Sequence, residues 1–469
     1  MIGRSPPVPP LRAVRSRLQL GGCGGSSNPL RLLLAGTVLA VALVGLGGRV
    51  GAVSAALGAA RHSKREAASG PAVTLSGRFF PGPSPDGVAR LPQLMTWGAS
   101  AISLSFSGSP SVEVVINGSL EALPEQDRMH SLVVPEFPRS YFKFEMGGRT
   151  AGRGYTSRDA PVLTWRRNGL WTGQHILTIT KLSEARTGGA WLQSASLAAG
   201  GRFLPPPPEG AGTGRRILFI GDSYTAGMGN TGPPNCRRFD IARFTDGLLA
   251  YGPVAARSLR ADYQLIAWSG AGLNHYRQLG MEQWPKALRR AASPRMTDLL
   301  HASDPLDPDS TYDLSSWVPQ VVVMAAGTND FQAYSLSGEH HVVPAPFALP
   351  TLQQWGDEYV AFIQELRAAF PEAAIINLVW PLEVQLVGVK TLPQTAVYLQ
   401  YMARAFTRLQ QAGLSNTHFL QLDGDVINTT AFCMAHPDVG THRDVARQLV
   451  EFISAVLPEF AKPAQRRPP

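Results

Sequence analysis

Two patterns of apolar and polar positions divide the chain. From about Val73 to Gly201 apolar residues alternate with polar ones in short runs, as in Ile102-Ser103-Leu104-Ser105-Phe106 and, past a Gly-Ser-Pro turn, Val112-Glu113-Val114-Val115-Ile116. A period of two sends one face of each run into a core and leaves the other outside. Further runs lie at 131–134, 141–145, 162–165, 176–180 and 191–197, separated by Gly, Pro, Ser and Asp, with no long helical pattern between them. Short alternating strands with frequent turn signals predict an antiparallel, jelly-roll-like β-sandwich over residues 73–202.

Beyond Leu204 a run of four prolines and then three glycines marks a short connector, residues 203–215, and the pattern on its far side is different. Apolar runs at 217–220, 263–268, 318–325, 374–379 and 419–422 alternate with stretches of helical period at 250–259, 352–370, 396–412 and 442–457. Strands alternating with helices predict an α/β domain over 216–461 with a parallel sheet covered on both faces. Reactive groups in such a sheet gather at the carboxyl ends of the strands. Residues 462–469 read as a frayed tail.

The net charge of +9 does not signal nucleic acid. Residues 1–65 carry nine Arg and Lys and no acid, so everything after Arg65 is formally neutral. That basic segment contains an uncharged apolar stretch, residues 32–48, preceded by five arginines. It is near the lower limit for a membrane span and predicts a signal anchor with a cytoplasmic N-terminus. A cleaved signal peptide and an organelle transit sequence are the alternatives. The first two put the remainder of the chain on the lumenal or extracellular side, in the secretory pathway. There the sequons at Asn117 and Asn428 become glycosylation candidates.

The candidate chemistry begins where Ile217-Leu218-Phe219-Ile220 runs into Gly221-Asp222-Ser223, a serine on a sharp turn at a strand end. A hydroxyl is a poor nucleophile without a base and without donors for the developing oxyanion. Three later stretches supply them in order: Ser269-Gly270, Gly327-Thr328-Asn329-Asp330 and His436-Pro437. This succession resembles the SGNH (GDSL-type) hydrolases, which implies a flavodoxin-like α/β domain. In that reading Ser223 is the nucleophile and His436 the general base. The oxyanion hole is made by the Ser223 and Gly270 backbone N–H groups and the Asn329 amide, with Gly272 a rival for Gly270. Asp222 and Asp330 hold loops. His442 competes with His436 but falls where the final helix starts. A metal set of His436, Asp438 and His442 fits no zinc spacing and would consume the base, so neither metal nor cofactor is expected.

The chain departs from the usual SGNH pattern at Cys433, where an aspartate three residues before the histidine is customary. A Ser-His dyad is therefore expected, with a backbone carbonyl near Met434 or Ala435 orienting the imidazole. Asp423 or Asp425, reaching in from the preceding strand end, is the alternative. Cys236 and Cys433 both approach this site in the hydrolase reading, and an oxidising compartment would join them as a disulfide; two free buried thiols are the other outcome.

The sandwich before the α/β domain, the stretch from Ile217 to Asn230, Ala250-Tyr251-Gly252 and Trp268-Ser269-Gly270-Ala271-Gly272 together resemble carbohydrate esterase family two over roughly residues 73–460. The resemblance implies a serine esterase that removes O-acetyl groups from acetylated polysaccharide or oligosaccharide of the xylan or glucomannan type. Trp268, Phe331 and Trp380 follow or end strands and are candidates to stack on sugar rings, with core packing the opposing reading. Tyr224 and Met228 receive no role. A lipid or thioester esterase, or an idle site on an anchored carbohydrate-binding protein whose sandwich acts as a lectin, are the competing functions.

Overall fold

A computed structural model describes residues 70–79, 88–119, 139–206, 214–273, 294–307, 309–331, 351–380, 394–423 and 433–461. The apolar stretch 32–48, the expected strand at 131–134, Asp425, Asn428 and the tail 462–469 lie outside them. Among the described residues no helix is long and apolar enough to cross a membrane.

The described residues of the N-terminal half form eleven strands: β1 Ala72–Ser76, β2 Ala89–Arg90, β3 Gln93–Met95, β4 Ala101–Ser107, β5 Ser111–Ser119, β6 Arg139–Met146, β7 Arg149–Ser157, β8 Val162–Asn168, β9 Gln174–Lys181, β10 Gly189–Leu197 and β11 Arg202–Phe203. They form two antiparallel sheets, β2-β1-β4-β9-β6-β7 with β11 added on β4, and β3-β10-β5-β8. The alternation decides which faces meet. Ile102, Leu104 and Phe106 of β4, Val112, Val114 and Ile116 of β5, Phe142 and Phe144 of β6, and Leu177 and Ile179 of β9 are all buried in one core. On the opposite face of β4, Ser103 and Thr178 hydroxyls share a hydrogen bond of 2.9 Å.

Strand β7 was not expected, because Arg-Thr-Ala-Gly-Arg-Gly-Tyr-Thr-Ser has no apolar alternation. Its pairing partner β6 recruits it, from Arg139 opposite Ser157 to Met146 opposite Arg149. Its glycines make room for the other sheet: a Cβ on Gly152 would come within 2.6 Å of Trp165 Nε1. Trp165 in turn stacks on Phe144 at 4.5 Å. The connector also begins later than expected, since Phe203 pairs with Phe106 and Leu204 N–H donates to the Ser105 carbonyl.

The described residues of the C-terminal half form five parallel strands, β12 Arg216–Gly221, β13 Asp262–Ala267, β14 Val321–Met324, β15 Ala374–Val379 and β16 Thr417–Gln421, in the order β13-β12-β14-β15-β16. Counted within this half, that is the 2-1-3-4-5 order of flavodoxin-like sheets, whose topological switch point lies between the first and third strands. β14 is shorter than the apolar run 318–325 because Pro319 has no N–H for the ladder. The helices that bear on the site are α1 Ser223–Ala226, α2 Tyr251–Ser258, α3 Thr328–Phe331 and α4 Val439–Val456.

The two halves share polar and apolar contacts. Trp97, Ala99 and Ala185 from the sandwich side belong to the same buried cluster as the parallel strands. Arg78 is buried against the α/β half: Nη1 donates to the Leu300 carbonyl at 2.6 Å and the Ala302 carbonyl at 3.1 Å, and Nε to Gln264 Oε1 at 3.0 Å. Its guanidinium also lies 3.8 Å from the centre of the Tyr312 ring. Burial drags this group down to about 10, against the Tyr312 phenol that favours its charge. Truncation would leave several buried acceptors unpaired, at about 1–3 kcal/mol for each group. Arg78→Ala is expected to lower the melting temperature by several degrees, with both halves still unfolding in one calorimetric transition. Two separate transitions in the wild type would contradict this shared core.

Candidate active site

Ser223, Gly270 and Asn329 each stand just past the carboxyl end of a strand, β12, β13 and β14, and the switch point lies between the first and last of these. At β12 the chain turns into α1 with Asp222 as its cap, Oδ1 accepting from the Tyr224 N–H at 3.0 Å. Ser223 is therefore the first residue of the helix and is 7% exposed. Asp222 is fully buried, and burial raises its carboxyl to about 7 against the hydrogen bonds that favour its charge.

The loop after β13 is held at alternate residues by three separate side chains. Glu184, from the sandwich half, accepts the Ser269 N–H on Oε2 at 2.7 Å and the Ser269 hydroxyl on Oε1 at 2.6 Å. Asn329 Nδ2 donates to the Ala271 carbonyl at 2.7 Å. Asp330 Oδ2 accepts the Leu273 N–H at 3.1 Å. Between the first two clasps Gly270 has φ 89, a conformation that a side chain would strain. The rival Gly272 is committed elsewhere, its N–H to the Pro294 carbonyl and its carbonyl to the Met296 N–H.

Two of these findings alter the expectations drawn from the sequence. Asn329 is a clasp as well as a donor candidate, since its amide also donates to Asp222 Oδ2 at 3.2 Å. Glu184 had no expected role: it lies 85 residues from Ser269, with no local motif to mark it. Lys181 is buried beside it, donating Nζ to the carbonyls of Ser183 at 2.7 Å and Glu184 at 2.9 Å. Burial lowers this ammonium to about 7, opposed by the Glu184 charge.

His436 Nδ1 lies 2.8 Å from the Met434 carbonyl. A carbonyl only accepts, so Nδ1 carries the proton and Nε2 is left with its lone pair, the tautomer a general base requires. Met434 adopts φ 52 and ψ 37, a left-handed conformation for a residue with a side chain, and this turn aims its carbonyl at the imidazole. Met434 rather than Ala435 thus supplies the orienting oxygen. Asp423 N–H donates to Gln448 Oε1 at 3.0 Å, while Asp425 is outside the described residues. Cys433, at the position where an aspartate is customary, is joined to Cys236 in a disulfide with Cα atoms 5.2 Å apart. The bridge ties the loop after Ser223 to the turn before His436. Tyr224 lies between the two loops, its ring 5.2 Å from the His436 ring and 4.8 Å from Trp380.

His442 is fully buried, and its Nδ1 accepts the Tyr251 N–H at 3.3 Å. Burial lowers it to about 3, and it sits in the first turn of α4, where it supports α2. Asp438 is the cap of α4, Oδ1 accepting from Thr441 N–H at 2.7 Å. The three residues of the alternative metal set are thus engaged separately.

The aromatic candidates need correction. Trp268 is 2% and Trp380 1% exposed, so neither indole face can receive a sugar ring. Both belong to the core under the sheet ends, because a strand-end aromatic carries no sequence signal of which way it turns. The Phe331 side chain lies outside those described. Asn117 is in the interior of β5, its Cα paired with Trp191 on one side and Val162 on the other, unlike the surface loop that a glycosylation acceptor favours.

A model of the GDSL-like Lipase/Acylhydrolase family matches residues 219–442. A family two carbohydrate esterase from Clostridium thermocellum, solved with cellohexaose, superposes with a TM-score of 0.61 at 24% identity, covering 82% of this chain and 99% of that one. The chain has an SGNH (GDSL-type) hydrolase fold. It resembles carbohydrate esterase family two, and a second such esterase, from Cellvibrio japonicus, also superposes at a TM-score of 0.61 with 19% identity, covering 84% of this chain and 98% of that one. Among curated proteins, an acetylxylan esterase / glucomannan deacetylase of Cellvibrio japonicus (strain Ueda107) is 33% identical over 163 residues, which is 34% of this chain and 40% of that relative. The cellulase/esterase CelE of Acetivibrio thermocellus is 27% identical over 292 residues, 62% of this chain and 31% of that protein. The chain therefore spans well under half the length of these two relatives.

The His436 environment predicts the pH behaviour of such a site. Burial holds this imidazole down at about 4, from its ordinary 6.5, although the Met434 hydrogen bond favours the charged form. A general base acts in its neutral form, so activity is lost as pH falls through the depressed value rather than the ordinary one. The acid limb of kcat/KM should have its midpoint near pH 4, with about 97% of the plateau left at pH 5.5, where a base of ordinary pKa would retain about 10%. A midpoint at 6.5, measured with a neutral ester, would contradict the buried-base geometry.

Proposed function

We propose that the protein is a serine esterase that removes O-acetyl groups from polysaccharides of the xylan or glucomannan type. The observation that carries this reading is an imidazole whose Nδ1 proton is fixed on the Met434 carbonyl, which leaves Nε2 as the base, with its ring 5.2 Å from that of Tyr224, the residue after the helix-start serine. The substrate class is supported by the acetylxylan esterase / glucomannan deacetylase that the chain resembles.

In the first half of the reaction His436 Nε2 takes the Ser223 hydroxyl proton as Oγ attacks the acetyl carbonyl carbon. The C=O electron pair moves onto oxygen, and the resulting tetrahedral oxyanion is received by the backbone N–H groups of Ser223 and Gly270 and by the Asn329 amide. The 3.2 Å bond from that amide to Asp222, longer than its bond to the Ala271 carbonyl, is the one that turns toward the oxygen as charge develops. Collapse breaks the C–O bond to the sugar, and His436 returns its proton to the leaving alkoxide. Water then attacks the acetyl-serine by the same route, releasing acetate and regenerating Ser223. The Met434 carbonyl does the work of the customary aspartate by holding the tautomer, without adding a negative charge beside the imidazolium.

The Cys236–Cys433 bridge favours an oxidising compartment, in keeping with a lumenal or extracellular esterase. The apolar stretch 32–48 would deliver it there, as a single-pass anchor or as a cleaved signal.

Acetate release from acetylated xylan, glucomannan and pectin, wild type beside Ser223→Ala, tests the reading. The wild type should release acetate from xylan or glucomannan, and Ser223→Ala should lower kcat by about 10³-fold or more. No release from any of the three polymers overturns the assignment, and faster turnover of long acyl chains than of acetyl would move it to lipid esters.

A further inference from the structure

The sandwich carries an open groove of about 670 Å³ where β7 and β8, one edge strand from each sheet, come together with the loop leading into β9. Trp171 lines it and is 69% exposed, the most exposed of the large apolar side chains among the described residues. An isolated exposed tryptophan is ordinary, but this one is held in place. Its ring lies over Gly173 so closely that any Cβ there would overlap Cζ3 and Cη2. His175 also packs against it, its ring edge-on at 5.3 Å and its Nε2 on the Trp171 carbonyl at 2.7 Å. A large flat apolar face is thus presented to solvent with little rotamer freedom left to lose on binding.

The polar lining around that face has one sign. Arg149 from β7 and Arg167 from β8 are both exposed there, Gln174 adds an amide, and the groove has no Asp or Glu in its lining. A guanidinium is planar and matches a carboxylate with two parallel hydrogen bonds, while a tryptophan face takes the C–H face of a pyranose. Further along β7, Arg153 donates Nη2 to Asp246 Oδ2 at 3.2 Å. Asp246 N–H in turn donates to Asn230, in the loop that follows Ser223. Four residues of extended strand, about 14 Å, therefore separate Arg149 from the contact with the α/β half.

We propose that this groove is a second, non-catalytic glycan site that takes an acidic sugar, a uronic acid unit, with its ring on Trp171 and its carboxylate on Arg149 and Arg167. It is a separate site from Ser223, and its binding does not depend on the esterase reading. The acid selectivity follows from the two arginines and falls with salt as any exposed charge pairing does.

Affinity electrophoresis of the full chain through gels holding polygalacturonate, glucuronoxylan or neutral glucomannan tests the proposal. Ser223→Ala is run beside the wild type so that turnover does not alter the polymer. Retardation in the acidic gels is expected for both proteins. It should weaken at least tenfold in Trp171→Ala and in the Arg149→Gln/Arg167→Gln double variant, with cleavage of a small aryl acetate unchanged in each. The outcome that overturns the site is no retardation by either acidic polymer, or retardation that survives Trp171→Ala. Equal retention by neutral glucomannan that survives the arginine substitutions overturns the acidic class. If acetate release fails while acidic retardation holds, the esterase reading falls and this site stands.

Discussion

The carboxylate of Glu184 is the constraint on which the candidate site depends. It leaves the sandwich half and ends on Ser269, taking both the backbone N–H and the hydroxyl of the residue before Gly270. A buried carboxylate is expensive unless its oxygens are satisfied and an opposite charge is near. Both conditions hold here, since Lys181 lies buried alongside and is itself anchored on the carbonyls of Ser183 and Glu184. The orientation of the Gly270 N–H thus rests on a charge supplied from outside the parallel sheet. In this arrangement the sandwich is a wall of the site, joined to the α/β half by Arg78, Trp97 and the contact of Tyr263 with the Ala99 carbonyl.

The remaining parts of the site are each fixed by a different kind of force. Asp222 works as a helix cap and pairs with Asn329, so the nucleophile turn and the third strand end are linked by a hydrogen bond across the switch point. The base is set by backbone geometry, a left-handed Met434 directing a carbonyl at Nδ1, with the disulfide at Cys433 bracing the preceding residue. Replacing an aspartate by a carbonyl keeps the tautomer and omits a countercharge. With that countercharge absent, burial outweighs the Met434 hydrogen bond and lowers the His436 imidazole to about 4.

What could be read from the sequence was what repeats or follows a local rule. The alternation in 102–106 and the continuous apolar runs of β12 and β15 reveal strands because one or both faces are buried over several residues. The strand-end placement of Ser223, Gly270 and Asn329 followed from those strands, and the carbonyl-held histidine from the missing acid at Cys433. β7 was hidden because its glycines answer to Trp165 and Leu163 across the sandwich rather than to their own neighbours. Glu184 was hidden for a related reason, its partner lying 85 residues away with no periodicity connecting them. Trp268 and Trp380 misled because an aromatic at a strand end is equally suited to a core and to a sugar, and only packing separates the two.

The claim that the sandwich completes the site is tested most directly by steady-state kinetics of Glu184→Ala and Glu184→Gln on a small acetyl ester, with folding followed by thermal melting. The account predicts that Glu184→Ala lowers kcat by about 10²-fold, the cost of a misplaced oxyanion donor, with KM little changed and a folded protein. Glu184→Gln, which still accepts from the Ser269 N–H, should recover much of that loss. A folded Glu184→Ala protein with wild-type kcat would contradict it.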